Sequence, residues 1–302
     1  MTIIAGSDID TYYKVESFLQ EGDAGMAFPL GEKVGGCILN TGIIAANFGM
    51  DVKVLDYLRE DDPGSDLLVR TMKENGLDTS YLRYGKDVEN GRCLIMTIGK
   101  EKCIYVIPQK HPLYDMDDGK ISSLLNHSGV IYSLVHVLYE SFGKDVKPIL
   151  GAKKNGALLA LDGSSQYQDP DEVKTLALAD HIFLNKQSYQ RVSEAAGEEG
   201  KDYLLRNGVK TICVTDGSRG STCYYPGGSI HEEAVKIPEV IDSTGAGDSF
   251  AAAFLTWHLS GSSLQESLKM ASYAGAHKCL YEGALGALCT KEELEAFARQ
   301  YE

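Results

Sequence analysis

A short segment near the C-terminus places a carboxylate directly after a run of small residues. It reads IDSTGAGDSFAAAF over Ile241 to Phe254, and its change from polar and small residues to strong helix formers predicts a helix that begins between Gly245 and Asp248. A helix N-terminus offers unpaired N–H donors and about half a positive charge, and glycines leave those donors accessible to a phosphate or an oxyanion. Asp248, in the first turn, could take a proton from a substrate hydroxyl held beside that phosphate.

This combination favours phosphoryl transfer to an alcohol, because that reaction depends mainly on positioning and charge neutralisation. A capped helix start is the simpler alternative, since an Asp in a first turn stabilises any helix by about 0.3–1 kcal/mol. The GAGD tetrapeptide alone would favour the simpler alternative, whereas the full segment favours the phosphate site.

Several familiar catalytic signatures are absent. The sequence contains no G-x-x-x-x-G-K-[ST] P-loop, no G-x-S-x-G elbow and no H-E-x-x-H motif. Gly245 and Gly247 lack the third glycine of a dinucleotide fingerprint and lie far from the first strand. The sequence therefore does not predict a function that depends on any of these four motifs.

Composition and charge exclude several classes of partner. The 302 residues are 43% hydrophobic and 24% charged, as in an ordinary globular protein, and 29 basic against 43 acidic side chains give a net charge of −14. Because such a surface repels polyphosphates and anionic lipids, we expect no nucleic-acid partner and no membrane partner. Because no stretch of about twenty residues is apolar and the first residues include no basic region before an apolar run, we expect neither a membrane span nor a signal peptide.

The cysteines indicate a reducing compartment. They are odd in number, scattered and never spaced as C-x-x-C, so we expect neither a disulfide framework nor a zinc site, and a cytoplasmic location. The seven are Cys37, Cys93, Cys103, Cys213, Cys223, Cys279 and Cys289.

Short apolar runs alternate with amphipathic stretches along most of the chain. The predicted strands are Thr2–Ala5, Val52–Leu55, Val130–Leu134, Ala157–Leu161, His181–Leu184 and Thr211–Val214. The predicted helices are Leu39–Phe48, one from Ser65 to a cap at Gly76, Ser141–Lys154, Tyr189–Arg206 and most of the C-terminal region. This alternation predicts an α/β fold with a doubly wound, mainly parallel sheet.

Two segments interrupt the alternation. Arg92–Ile98 and Cys103–Ile107 are rich in β-forming residues and flank the polar turn Gly99–Lys102, which predicts a hairpin. Thr11–Leu30 contains tyrosines, glycines and a proline without helical spacing. Together they would form either a flap over an edge of the sheet or surface decoration.

The segment around Asp248 resembles the C-terminal signature of the ribokinase-like (PfkB) carbohydrate kinase family, and the resemblance extends along nearly the whole chain. Its other motifs are Gly35-Gly36, Asn40, Phe48-Gly49, Asp61-Asp62, Gly64, Gly76–Thr79, Asn185 and TDGSRG over Thr215–Gly220. The resemblance implies one α/β kinase domain over residues 1–302 with a Rossmann-like (ribokinase-like) fold. The β-rich excursion would then be a small lid, built from segments approximately 11–34 and 91–109.

The resemblance also implies an activity, namely transfer of phosphate from ATP, with Mg²⁺, to a hydroxyl of a sugar or sugar derivative. The implied roles are Asp248 as general base; Gly245, Ala246 and Gly247 as anion hole; Asp10, Gly35, Gly36 and Asn40 toward the substrate; Asn185, Thr215, Gly217 and Gly220 toward ATP; and Asp242 and Thr244 toward a monovalent cation such as K⁺. Since family lids often pair across a dimer, a homodimer through the lid is also implied.

Three positions depart from the family pattern. Ser188 stands where the family usually has the glutamate of Asn-x-x-Glu, so a hydroxyl would replace a charge on the Mg²⁺ side. The first strand ends one residue short of the usual glycine-to-aspartate spacing, so either Asp8 or Asp10 could be the sugar ligand. The segment 162–166 lacks the arginine of Asp-x-Asn-x-Arg, which argues against a carboxylated acceptor.

Two alternatives to a sugar kinase remain. One is a nucleoside kinase of the same family. The other, suggested by Ser188, is a catalytically weak protein that binds a metabolite or has a regulatory role.

Overall fold

The computed structural model describes residues 1–4, 6–99, 101–144, 146–163 and 170–301. In chain order the strands of this part are β1 Thr2–Ile4, β2 Asp8–Val15, β3 Ala27–Gly35, β4 Lys53–Leu55, β5 Tyr57–Arg59, β6 Arg83–Gly85, β7 Gly91–Ile98, β8 Glu101–Ile107, β9 Val130–Leu134, β10 Leu158–Asp162, β11 His181–Asn185, β12 Thr211–Thr215, β13 Ser221–Tyr225 and β14 Gly228–Glu232. The helices are α1 Cys37–Asn47, α2 Pro63–Glu74, α3 Gly119–Asn126, α4 Val135–Phe142, α5 Lys147–Lys154, α6 Pro170–Leu176, α7 Lys186–Ala196, α8 Gly200–Arg206, α9 Ala246–Leu259, α10 Leu264–Lys278 and α11 Lys291–Ala298.

An eight-stranded sheet forms the centre of the fold, in the order β14-β13-β12-β11-β10-β9-β1-β4. The six strands from β12 to β4 are parallel, and β13 and β14 add an antiparallel edge. Strand β9 is buried along its whole length, as expected for a parallel strand with both faces covered. The predicted doubly wound, mainly parallel α/β fold is confirmed.

A second sheet contains the two segments that interrupt the alternation. Its order is β3-β2-β7-β8, with β2 and β7 parallel and the outer pairs antiparallel. The predicted hairpin is confirmed, but its turn is tighter than expected because Glu101 and Lys102 belong to β8 and pair with Ile98 and Thr97. The remaining turn residue Lys100 lies outside the described residues.

Two predicted helices are each divided in the structure. The stretch 141–154 comprises the end of α4 and all of α5, with Gly143 ending the first helix and a proline in the first turn of the second. The stretch 189–206 is broken by Gly197, which ends α7 in the left-handed conformation. Amphipathic spacing alone did not show these breaks, because the apolar positions continue across them.

The core follows from this layering. Helices α1 and α9 pack against each other, and α9 also packs against α10. Phe254 of α9 and Ile38 of α1 are fully buried. Within the described residues, no helix has both the length and the apolar character needed to span a bilayer.

Candidate active site

The predicted helix start at the GAGD segment is confirmed. Helix α9 begins at Ala246, and Gly245 precedes it with φ +82°. A side chain at Gly245 would be strained at that φ, and its Cβ would lie 2.8 Å from the Cα and carbonyl oxygen of Ala284. No side chain among the described residues caps the helix. Gly245 is therefore required by the backbone path that leads into the helix.

The amides of this first turn are only partly occupied. The Ala246 amide donates to the carbonyl oxygen of Ser243 at 3.2 Å, and the Ser249 amide donates to that of Gly245 at 2.9 Å. The amides of Gly247 and Asp248 have no partner among the residues that the structure describes. Unpaired N–H groups at a helix N-terminus are suited to binding an anion.

Asn40 and Asp248 lie in direct contact. The Nδ2 of Asn40 donates to Oδ2 of Asp248 at 3.0 Å, which joins the first turn of α1 to the first turn of α9. Asn40 is 5% exposed, and its Oδ1 has no hydrogen-bond partner within the described part of the chain. Two sequence-predicted site residues from distant segments are thus brought together.

The carboxyl group of Asp248 has an unusually high proton affinity. Its pKa is raised to about 7: burial is the main cause, the charges of Asp162 and Asp10 add to it, and the Asn40 hydrogen bond and Lys278 partly oppose the shift. A carboxylate that titrates near neutral pH has a proton affinity matched to general-base catalysis.

Asp10, Gly35 and Gly36 lie beside the N-terminus of α1. The side chain of Asp10 lies directly over Gly35, where any Cβ would clash with its carboxylate. Gly36 has φ +93°, and a Cβ there would clash with the carbonyl oxygen of Gly6. Asp8, two residues before Asp10 on β2, lies in the same way over Gly91. Both aspartates therefore stay on one face of β2, at glycines of the flanking strands.

These aspartates are also electrostatically unusual. Burial raises the pKa of Asp8 to about 7, helped by the charges of Asp10, Asp56 and Glu140. Burial also raises the pKa of Asp10, although Cys93, Lys102 and Tyr12 oppose the shift. Since carboxylates raise one another's pKa values only when they are close, the site has a markedly acidic side.

The residues expected to bind ATP lie at the carboxyl ends of adjacent strands. Asn185 ends β11 and Thr215 ends β12, and the two are partners in the strand register. Gly217 begins a short 3₁₀ turn that ends at Gly220, where a Cβ would clash with the carbonyl oxygen of Glu232. Ligands of open α/β sheets bind beyond the carboxyl ends of the strands.

Ser188 is buried below this edge. It is 1% exposed, and its amide donates at 2.8 Å to Oδ1 of Asn185, which caps α7. Ser188 is therefore packed inside the start of α7 and is not exposed at this edge of the sheet. Lys186, next to Asn185, is exposed and lies 5.8 Å from the centre of the Tyr189 ring. Of the segment 162–166, Asp162 and Gly163 are described and residues 164–166 lie outside the described part.

Asp242 organises the loop that leads into α9. Its Oδ1 accepts from the amide of Thr244 at 2.9 Å and from the hydroxyl of Thr244 at 2.6 Å, and its Oδ2 accepts from the amide of Gly283 at 2.9 Å. Desolvation acts to raise the pKa of Asp242, but these hydrogen bonds and the charge of Lys102 lower it to about 2.

Two lysines that the sequence did not single out lie against this loop. Lys102 of β8 donates to the hydroxyl of Thr244, and its Nζ is 3.8 Å from Oδ1 of Asp242. Lys278, in the last turn of α10, donates to the carbonyl oxygens of Asp242 at 3.1 Å and Tyr281 at 2.8 Å. The only local signal for Lys278 was a cation near the end of a helix, which is usually a surface feature.

The sequence as a whole matches a model of one protein family, described as the pfkB family carbohydrate kinase, over residues 3–291. The chain belongs to the pfkB family of carbohydrate kinases. The resemblance noted from its motifs is therefore confirmed, and so is the predicted enzyme class, phosphotransferases that have an alcohol group as acceptor.

Relatives of this pfkB family chain include kinases of sugars and of nucleosides. A nucleoside kinase from Methanocaldococcus jannaschii is 26% identical over 270 residues, which are 88% of this chain and 85% of that protein. The structure of Arabidopsis thaliana ribokinase complexed with ribose and ATP has a TM-score of 0.78 at 20% identity, covering 99% of this chain and 98% of that one. The nucleoside kinase of Burkholderia thailandensis in complex with inosine has a TM-score of 0.81 at 19% identity, covering 100% and 98%. These structures show that the fold is shared.

The family implies ions as well as ATP. No group of three or more His, Cys, Asp or Glu in the described ranges could hold a metal ion. Asp242 and Thr244, expected to bind a monovalent cation, already have partners for both carboxylate oxygens and for the hydroxyl. The ammonium groups of Lys102 and Lys278 also lie beside them. These residues do not fit an additional cation.

Proposed function

We propose that the protein transfers the γ-phosphate of ATP to a hydroxyl group of a sugar or sugar derivative, with Asp248 as the general base. The observation that carries the proposal is the hydrogen bond from Asn40 to Asp248, which fixes a carboxylate of raised pKa beside unpaired amides of a helix N-terminus. A base, a substrate-binding amide and an anion site are what this transfer requires.

The proposed reaction takes place within the first turns of α1 and α9. Asp248 accepts the proton of the acceptor hydroxyl while the oxygen forms a bond to the γ-phosphorus. The bond from that phosphorus to the bridging oxygen of ADP breaks, and ADP leaves with the electron pair. Negative charge on the transferred group meets the N-terminal turn formed by Gly245, Ala246 and Gly247. Mg²⁺ would neutralise the phosphate charge and would bind mainly through the phosphates themselves.

The sugar and ATP would bind at different places along the carboxyl ends of the strands of the central sheet. The sugar that receives the phosphate would lie beside four residues: Asp10, Gly35, Gly36 and Asn40. The Oδ1 of Asn40, which has no partner among the described residues, can accept a hydrogen bond from one of its hydroxyl groups. Asn185, Thr215, Gly217 and Gly220 line the nucleotide side at the ends of β11 and β12. The four-stranded sheet would act as the lid, since its Lys102 contacts the loop before α9.

The acidic side of the site favours an uncharged acceptor. The charge of Asp10 raises the pKa values of Asp8 and Asp248, the charge of Asp162 also raises that of Asp248, and an added carboxylate or phosphate would increase this repulsion. A free sugar or a nucleoside satisfies this condition. The nucleoside kinase from Methanocaldococcus jannaschii among the relatives makes a nucleoside the second candidate acceptor.

A homodimer through the four-stranded sheet is part of the proposal. Its outer strands carry large exposed apolar side chains, among them Leu30 on β3 and Ile104 and Val106 on β8. Such side chains on edge strands favour association, and a second copy would cover them.

The seven unpaired cysteines support a location in the cytoplasm.

The test is a screen of ATP consumption over free sugars and nucleosides, with Asp248→Asn as the control. We expect turnover with one of these classes in the unmodified protein and loss of it in the variant. Tight binding of a metabolite without any turnover would contradict the proposal and indicate a binding or regulatory protein.

A further inference from the structure

Lys278 is a buried cation held by two backbone carbonyl oxygens. It is 1% exposed, and its Nζ donates to two backbone carbonyl oxygens, those of Asp242 and Tyr281. A buried ammonium group is costly unless it is hydrogen-bonded and near an opposite charge, and the carboxylate of Asp242 supplies that charge. Lys278 is therefore an integral part of the structure that joins the loop at Asp242 to the backbone at Tyr281.

The position of the ammonium group connects two segments that shape the anion site. Residues 242–244 lead directly into Gly245, and residues 281–284 include Ala284, which lies against Gly245. Gly283 adds a second link, because its amide donates to Asp242. Lys278 therefore acts on the first turn of α9 through these segments, without lying in that turn itself.

Carbonyl and carboxylate oxygens around one positive charge are also the surroundings that a K⁺ ion prefers. A second cation at this cluster would meet the charges of both Lys278 and Lys102, and would compete for oxygens that already have partners. The ammonium group of Lys278 belongs to the chain, so it occupies the same oxygens without an ion having to be bound from solution.

We propose that Lys278 takes the place of a bound monovalent cation, so that this enzyme positions its anion site without K⁺. The inference rests on the proposed kinase function, because the loop it stabilises is the one that leads to the phosphate site. Lys278 is a positioning residue in this role. It acts through Asp242 and through the backbone around Tyr281.

The test compares K⁺ with tetramethylammonium at equal ionic strength, in thermal unfolding and in calorimetric binding of ADP. The unmodified protein should unfold at the same temperature and bind ADP equally well in both salts. Lys278→Ala should unfold at a lower temperature and bind ADP about tenfold more weakly in tetramethylammonium. K⁺ should restore a large part of both losses, because it can enter the space that the ammonium group leaves.

The matched control is Lys153→Ala. Lys153 is also partly buried and donates to a backbone carbonyl oxygen, that of Leu178, and to Asp180 at 2.8 Å, away from the loop before α9. It should lose stability equally in both salts. Lys278→Arg keeps the positive charge and should remain insensitive to K⁺, which provides a second variant if the alanine form does not fold.

Two results would overturn the inference: a K⁺-specific stabilisation of the unmodified protein, or the same behaviour of Lys278→Ala in both salts. The unfolding measurement needs neither ATP nor an acceptor. If ADP failed to bind in any salt, the proposed kinase function would be contradicted, while the unfolding data would still decide the role of Lys278.

Discussion

Asn40 and Asp248, 208 residues apart in the chain, are joined by a hydrogen bond of 3.0 Å between Nδ2 and Oδ2. The contact exists because α1 and α9 pack against each other with their N-termini at the same edge of the sheet. The residue that we propose to bind the substrate and the residue that we propose to deprotonate it are thereby fixed relative to each other. This geometry leads to predictions on both residues and on the turn beside them.

Asp248→Asn should reduce kcat by at least about two orders of magnitude, because the carboxamide cannot accept the proton of the acceptor hydroxyl. The side chain keeps its size and loses a buried charge whose pKa is raised to about 7, so ADP affinity should change little and the unfolding temperature should not fall. Steady-state kinetics with the acceptor found in the screen measures the effect. Asp66→Asn, at an exposed acid in the first turn of α2, is the matched control and should keep full activity. A nearly normal kcat for Asp248→Asn would refute its role as base.

Asn40→Ala should move the acid limb of the pH–rate profile to higher pH. Asp248 must be ionised to act as a base, so kcat/KM should rise through about pH 7 in the unmodified enzyme. The Asn40 hydrogen bond lowers the pKa of Asp248, and its removal should therefore raise that pKa. The profile of kcat/KM against pH measures this directly. A loss of activity with an unmoved limb would mean that Asn40 only binds substrate.

Gly245→Ala and Gly247→Ala should separate backbone strain from obstruction of the anion site. Gly245 has φ +82° and lies against Ala284, so alanine there should destabilise the fold by about 1–3 kcal/mol. A Cβ at Gly247 meets no described atom within 4 Å, so its alanine variant should fold with nearly unchanged stability. Any loss of activity in Gly247→Ala then reports an obstructed anion site. Denaturant unfolding measures the loss of stability in each variant, and kinetics measures the loss of activity. Equal losses of stability in both variants would contradict the proposal that only Gly245 is required by the backbone.

Asp8→Asn should stabilise the protein at high pH and have little effect at low pH. Burial and neighbouring acids raise the pKa of Asp8 to about 7, well above its value of about 4 in an unfolded chain. The folded state therefore binds a proton more tightly than the unfolded state, and stability falls as the pH rises from about 4 to about 7. The asparagine variant avoids this loss, which is on the order of 4 kcal/mol.

Thermal unfolding of Asp8→Asn at pH 4 and pH 8 measures the difference. The exposed Asp87→Asn serves as the control and should follow the unmodified protein at both pH values. A stabilisation that is equal at both pH values would show that the charge of Asp8 is not its cause.

Val106→Lys should convert the expected dimer to a monomer, because it places a charge on an edge strand that a second copy would cover. Val106 is 65% exposed in the single chain. Sedimentation velocity gives the oligomeric state. Leu113→Lys, at another exposed apolar side chain outside the four-stranded sheet, should leave the dimer intact. A monomeric unmodified protein would contradict the proposed dimer.

The central sheet and the start of α9 could be predicted because their signals are local. Four buried strands, β9 to β12, appear in the sequence as short apolar runs, and the GAGD segment carries its own helix start. Boundaries were less accurate where an amphipathic pattern continued through a turn, as at Gly143 and Gly197. The parallel pair β5 and β6 was missed, because each strand is three residues long and has little pattern.

By itself, the sequence determined the family, the fold class and the chemistry available at Asp248, since these depend on ordered motifs and on local helix and strand signals. Only the tertiary structure decided which groups meet. It paired Asn40 with Asp248, buried Ser188, and placed Asp8 and Asp10 on one face of β2. It also brought Lys278 onto the backbone of Asp242. Contacts between distant segments depend on how helices and sheets pack, and the spacing of residues along the chain carries no record of that.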